Sequence, residues 1–249
     1  MKKLALILCS LLVAACSQAQ VKQYRPKVVK DYPHSVTAYT QGLFFHDGVL
    51  YESTGQYGES GIRTVNLQDG KSILEKKFNS KYFGEGSVIL DGDLFILTWT
   101  NKVAFIYDAK TLSYKKTVGY PRQGWGLTTD GKQLIASDGS ANLYFLDKSL
   151  KQQKKLPVTL NGRPLRNLNE LEWIDGKVWA NVYLTDMIAI INPKNGKVEG
   201  TIDCTGLLPA KLRKPDTDVL NGIAVDEKGH VYLTGKNWPR MYEIELVKN

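Results

Sequence analysis

Phe83-Gly84-Glu85-Gly86-Ser87-Val88-Ile89-Leu90-Asp91-Gly92-Asp93-Leu94-Phe95-Ile96-Leu97-Thr98-Trp99 is the stretch on which the fold turns. Two apolar runs flank Asp91-Gly92, a pair suited to a two-residue hairpin turn whose central residues both take positive φ. The first run opens on a carboxylate between two glycines and the second ends on a tryptophan. Antiparallel pairing sets the start of one strand beside the end of the next, so Glu85 and Trp99 are expected at the same end of the hairpin.

The pattern recurs at Gln41-Gly42-Leu43 to Asp47-Gly48, Gly124-Trp125-Gly126 to Asp130-Gly131 and Asn169-Glu170-Leu171 to Asp175-Gly176. A fifth copy runs from Asn221-Gly222-Ile223 to Asp226-Glu227-Lys228-Gly229, one residue longer at its turn. Second hairpins follow, such as Ile62 to Leu67 with Ser72 to Phe78, Val103 to Tyr107 with Tyr114 to Val118, and Ile188 to Asn192 with Val198 to Ile202. From residue 24 onward no long amphipathic helical pattern interrupts them. Five units of four strands, repeating every ~40 to 50 residues, predict an all-β chain folded as a five-bladed β-propeller. The competing arrangements are a β-sandwich or an open series of hairpins, and five aligned two-hairpin copies favour the ring. The last unit is one strand short after Arg240 to Leu246, while Tyr24 to Lys30 is strand-like and unassigned. The N-terminal segment is therefore expected to supply the outer strand of the last blade and close the ring. Residues 151–167 and 205–219 are expected to be insertions near the mouth or rim.

A 249-residue chain with 43% hydrophobic residues and no low-complexity linker reads as one folded body, residues 24–249. Before it, Met1-Lys2-Lys3 and the apolar run Leu4 to Val13 form a signal sequence too short to span a bilayer. Leu12-Val13-Ala14-Ala15-Cys16 resembles a bacterial lipobox, so residues 1–15 are expected to be removed, Cys16 lipidated, and 16–23 left as a tether; the alternative is ordinary cleavage near Ala19. The protein is expected on the periplasmic side of a bacterial cell envelope, held by its lipid. Only Cys204 then remains in the body, with no partner for an intramolecular disulfide, and a buried structural thiol is expected there. Without Lys2 and Lys3, 31 bases face 25 acids, a surplus of six spread along the chain. No basic helix or RNA-recognition motif accompanies it, so nucleic acid is not an expected partner. His34, His46 and His230 lie far apart, without zinc-ligand spacing, so no catalytic metal is expected.

Aligning the copies exposes two columns. The inner-strand starts carry Gln41, Glu85, Gly124 beside Trp125, Asn169 and Asn221. Seven residues after each turn glycine stand Gly55, Trp99, Asp138, Tyr183 and Lys236. A purely structural repeat would hold one residue type at such places. An acid, a base, amides and large aromatics converging at one end instead fit a binding pocket. Packing explains a tryptophan at a blade end and turn capping explains an asparagine at a strand start. A carboxylate between glycines is costly unless solvated or used.

The residues of these columns, in their motifs, resemble the plant-type glutaminyl-peptide cyclotransferase family in its bacterial branch. The likeness runs through Tyr39-Thr40-Gln41-Gly42-Leu43, Phe83-Gly84-Glu85-Gly86, Leu97-Thr98-Trp99, Gly124-Trp125-Gly126-Leu127, Asn169-Glu170-Leu171-Glu172, Val178-Trp179-Ala180-Asn181-Val182, Leu220-Asn221-Gly222-Ile223-Ala224 and Thr234-Gly235-Lys236, in family order. The resemblance implies a five-bladed propeller that turns the N-terminal glutamine of peptides or proteins into pyroglutamate and releases ammonia. It implies Glu85 as the catalytic group, Trp99 and Trp125 as pocket tryptophans, and Gln41, Asn169 and Lys236 as polar substrate contacts. Tyr183 stands where plant members have a third tryptophan, so a wall is kept and the second-residue preference of the peptide is expected to differ. No cofactor is required, and a structural calcium in the ring is left open, with no ligand set standing out.

The chemistry asked of such a site agrees. An α-amine with a pKa of about 8 is already partly neutral near pH 7. What remains is to hold the folded-back conformer, stabilise the oxyanion and protonate departing ammonia. Glu85 is expected to take the amine proton and pass it on; Gln41, Asn169 and Lys236 all remain open as the oxyanion donor. The alternative function is a non-catalytic cell-surface propeller that binds peptides or glycans. Lactonase-like or quinone-dependent propellers need metal ligands of a kind not seen at the mouth. A monomer is expected.

Overall fold

The computed structural model describes residues 20–248; the leader and Cys16 lie outside them. The described chain is all-β and propeller-like, with one 3-10 turn at Ala210–Leu212. Strand β1 is Lys22–Pro33, beginning two residues before the expected start. Then follow β2 Thr40–His46, β3 Val49–Thr54, β4 Gly61–Val65 and β5 Ser72–Lys77, one antiparallel sheet in that order. Strands β6 Gly84–Leu90, β7 Asp93–Thr98, β8 Val103–Asp108 and β9 Tyr114–Gly119 form the next. A third contains β10 Leu127–Thr129, β11 Leu134–Ala136, β12 Asn142–Leu146 and β13 Gln152–Pro157. A small hairpin, β14 Thr159–Leu160 with β15 Arg163–Pro164, precedes β16 Leu168–Ile174, β17 Lys177–Val182, β18 Met187–Ile191 and β19 Val198–Asp203. Last come β20 Leu220–Val225, β21 Val231–Gly235 and β22 Arg240–Lys248.

In the first three sheets burial falls from the inner strand outward. All seven residues of β6 are buried, whereas all six of β5 are exposed. The outer strands carry lysines, which discourage pairing with another chain. Inner strands touch in the circular order β2, β6, β10, β16, β20 and back to β2. Apolar side chains between neighbouring sheets form the core, for example Val88, Phe95 and Ile106 against Leu127, Leu134 and Tyr144. Strand β1 lies between β22, which it pairs antiparallel from Tyr24↔Lys248 to Pro33↔Arg240, and β19, which it pairs parallel.

Two expectations need correction. Residues 151–167 are not simply an insertion, because Gln152–Pro157 is the outer strand paired with β12; its lysines mark a solvated edge, not a loop. Of the five repeat turns, Asp47-Gly48, Asp91-Gly92 and Asp175-Gly176 have both φ positive. In the third and fifth copies the aspartate side chain instead accepts backbone N–H groups within a longer loop, Asp130 from Lys132 and Gln133, and Asp226 from Lys228 and His230.

Candidate active site

The column of inner-strand starts is a column of β-bulges. Register breaks between Thr40 and Gly42, Gly84 and Ser87, Leu168 and Leu171, and Leu220 and Ile223. These breaks release Gln41, Glu85, Asn169 and Asn221 from regular alternation, so that their side chains are re-aimed where the strand begins. The glycines flanking Glu85 have a packing cause. A Cβ on Gly84 would lie 2.7 Å from the Thr54 carbonyl oxygen, and one on Gly86 2.5 Å from that of Trp125. The end of β3 and the entry to β10 approach too closely for a side chain, and Gly86 N–H donates to the Trp125 carbonyl at 2.7 Å.

A cavity of about 160 Å³ opens there, lined by Tyr39, Gln41, Phe83, Glu85, Trp99, Trp125, Asn169, Tyr183 and Lys236. All seven residues singled out in the body of the sequence are among its walls. Tyr39 and Phe83 were not; both stand next to or within quoted motifs, and their aromatic character two residues before Gln41 and Glu85 was the available signal. Gly55, Asp138 and Asn221 share the columns but not the lining. A larger open groove of about 460 Å³ lies on the rim beside Gln20, Val21 and the β14–β15 hairpin; its one acid, Glu199, is paired with Lys177.

The walls are fixed by specific contacts. Phe83 meets Trp99 edge to face at 5.5 Å between centroids, and Trp125 meets Tyr183 likewise at 5.5 Å. Both indole N–H groups donate to the same oxygen, Gln123 Oε1, from Trp99 at 3.0 Å and from Trp125 at 3.2 Å. Gln123 has no counterpart in the repeat columns, and the sequence reading missed it. Trp125 packs over Gly139, where a Cβ would lie 2.6 Å from the ring.

The polar groups divide by whether they are already engaged. Gln41 Nε2 donates to Glu85 Oε1 at 3.2 Å, and Gln41 Oε1 accepts from Asn221 Nδ2 at 3.1 Å. Asn169 Oδ1 is buried without a partner among the described residues. Lys236 Nζ sits over the faces of Tyr39, at 4.6 Å, and Tyr183, at 4.8 Å. Tyr39 is itself anchored by its hydroxyl, which donates to Asp218 Oδ2 at 2.7 Å.

Glu85 is 4% exposed. Burial pushes its carboxyl well above the usual carboxylate range, with the Lys236 charge pulling the other way. Burial likewise lowers Lys236, opposed by Glu85 and Asp218. Two other inner-strand acids, Glu170 and Glu172, are also buried and raised by burial, Glu172 to about 8. They are tied to other inner strands. Glu170 accepts backbone N–H groups from Leu43 at 3.3 Å and Ile223 at 2.9 Å, and Glu172 accepts from Val225 N–H and Thr128 Oγ1. Glu85 has no backbone donor of this kind among the described residues and faces the cavity. Among the described residues no group of three or more His, Cys, Asp or Glu side chains is placed to hold a metal ion. Cys204 is buried and forms no disulfide among the described residues, its thiol pushed up by burial.

A family profile described as Glutamine cyclotransferase matches residues 2–246. A glutaminyl-peptide cyclotransferase of Arabidopsis thaliana is 44% identical over 226 residues, covering 88% of this chain and 71% of the plant protein. The crystal structure of Myxococcus xanthus glutaminyl cyclase superposes with a TM-score of 0.86 at 32% identity, covering 92% of this chain and all of that one. The matched profile spans the bulged column and the aromatic cavity, and the chain belongs to the glutamine cyclotransferase family.

Proposed function

We propose that the protein is a glutaminyl-peptide cyclotransferase that converts the N-terminal glutamine of peptides or proteins to pyroglutamate with release of ammonia. One observation carries the reading: a buried carboxyl, Glu85, without a salt-bridge partner among the described residues, faces an aromatic cavity of about 160 Å³. That volume is below the ~300 Å³ at which drug-sized pockets begin, and suits one amino-acid residue folded on itself. Family membership supports the reaction; the five-bladed ring closed by β1 is supported by the circular order of inner strands and the position of β1 beside β22.

In this mechanism the neutral α-amine attacks the side-chain amide carbon, forming the ring C–N bond and placing the carbonyl electron pair on oxygen. Glu85 gives its proton to the amide nitrogen, the C–N bond to that nitrogen breaks, and ammonia leaves as the carbonyl re-forms. The ring nitrogen then returns a proton to Glu85. Burial raises the Glu85 carboxyl and so favours its protonated form, which supports Glu85 as the donor to the departing nitrogen. Gln41 keeps one amide N–H beyond that given to Glu85, so Gln41, Asn169 and Lys236 all stand as donors to the oxyanion. The aromatic walls Trp99, Trp125 and Tyr183 hold the folded conformer. No cofactor or metal is assigned a step.

Incubation with a Gln-initiated dipeptide should release ammonia and yield the pyroglutamyl product. Glu85→Gln should lower kcat by roughly 10²- to 10⁴-fold, the usual contribution of a positioned acid–base group. No ammonia above background would hand the cavity to peptide binding without catalysis. The leader further supports an envelope lipoprotein acylated at Cys16, which mass spectrometry of the mature N-terminus tests: an unmodified residue near position 20 would refute it.

A further inference from the structure

Resting on the cyclotransferase reading, a cavity that holds one residue forces the rest of the peptide out through the mouth, and one side of that mouth carries an unusual residue. Tyr183 lines the cavity, and the next residue, Leu184, is 67% exposed. It sits at φ +66° in a turn closed by Thr185 N–H to the Val182 carbonyl at 3.1 Å. Glycine or asparagine ordinarily takes such a position. Two other leucines among the described residues have positive φ, Leu112 at +51° and Leu150 at +63°, and each is 3% exposed, so burial offsets its backbone cost. Leu184 has the strained backbone without the burial. Strain of this kind persists where the surroundings or a ligand make use of it.

Leu184 also forms one wall of a second cavity of about 300 Å³, between Leu184–Asp186 and the loop carrying Arg213, Asp218 and Val219. The two cavities share a partition: Tyr183 on one strand end, and Asp218, whose carboxylate accepts the Tyr39 hydroxyl, on the other. We propose that this cleft is the subsite for the residues that follow the N-terminal glutamine, with Leu184 packing against the side chain of the second residue. An apolar second residue covers Leu184 on binding, whereas glycine leaves it in water. The mixed polar walls beyond, Asp186 and Arg213, face the peptide backbone further along.

The test is the ratio of kcat/KM for Gln-Leu-amide over Gln-Gly-amide, measured for the native protein, Leu184→Gly and Leu184→Phe. Glycine relieves the positive φ, so the first variant folds without added strain. The native ratio should be on the order of tenfold, the lower end of what one methylene discriminates in a pocket. It should approach unity in Leu184→Gly and remain above unity in Leu184→Phe. An equal ratio in all three proteins overturns the subsite while leaving the cyclotransferase reading in place. Absence of turnover with either substrate removes both.

Discussion

Glu52 on β3 holds the first and last sheets together, and Glu52→Gln measures that hold. The carboxylate is fully buried; its Oε1 accepts from Thr40 Oγ1 at 2.6 Å and meets His34 Nε2 at 2.9 Å, and its Oε2 accepts from Arg63 Nε at 2.9 Å and Nη2 at 2.6 Å. His34 directly follows β1, and its Nδ1 donates to the Trp238 carbonyl at 2.7 Å, two residues past Lys236. One acid thus gathers the end of the N-terminal strand, the first sheet and the turn that presents a cavity residue. The amide introduced by Glu52→Gln would direct its NH₂ either at Arg63 or at the side where Thr40 and His34 approach, donor against donor. Removing one partner of such a buried pair costs about 3–5 kcal/mol. For a chain of this size each kcal/mol lowers Tm by about 2–4 °C, so a loss of about 6–20 °C is expected by scanning calorimetry at neutral pH. The pH dependence has a definite sign. Burial alone would raise Glu52, but the His34 and Arg63 charges and the hydrogen bonds from His34 and Thr40 hold it well below the ordinary carboxylate range. Its stabilisation is therefore complete above the unfolded value of about 4.3 and is lost as pH falls through the folded one. The gap between native and variant should narrow on strong acidification. A Tm loss below about 3 °C at neutral pH, or a gap that does not change with acid, would refute the account.

Gln123→Leu should raise KM for a Gln dipeptide several-fold and shift tryptophan emission, since two indole N–H groups lose their acceptor, a loss of ~1 kcal/mol each; Gln123→Glu should restore both properties. Equal effects of Leu and Glu would show that only the side chain's bulk matters. Tyr39→Phe removes the bond to Asp218 and frees the ring under Lys236, so kcat/KM should fall by roughly tenfold, the worth of a hydrogen bond to a charged group; an unchanged value counts against Tyr39 as a positioning residue. Removing residues 21–34 strips β22 of its outer partner and leaves the edges of β22 and β19 bare. Such a chain should be insoluble or melt far lower, and an unchanged Tm would contradict closure through β1.

Repeat alignment located the cavity because four of the five copies enter their inner strand through the same kind of bulge, and the residue released there differs from sheet to sheet. Gln41, Glu85 and Asn169 were legible for that reason, as were Trp99, Tyr183 and Lys236 at the paired strand ends. The positions that hold these side chains in place were not legible. Gln123 lies in a connecting segment without a counterpart in the other copies, and what singles it out is two indole nitrogens converging on one oxygen. Glu52 reads in sequence as an alternating strand residue, and Asp218 as one of two acids in the loop 205–219.

The same distinction separates the three buried inner-strand glutamates, which composition cannot tell apart. Burial raises all three, so a raised carboxyl alone does not identify the reacting one. Glu170 accepts backbone N–H groups from β2 and β20, and Glu172 accepts one from β20 and the Thr128 hydroxyl of β10, so both link inner strands to one another. Their replacement by glutamine should lower stability, because an amide presents N–H where a donor already points. Glu85 has only the weak contact from Gln41 at 3.2 Å and an open cavity before it, so Glu85→Gln should alter turnover with little change in Tm. If instead Glu85→Gln melts as early as Glu170→Gln, the free carboxyl is structural, and the proton transfer assigned to it belongs elsewhere.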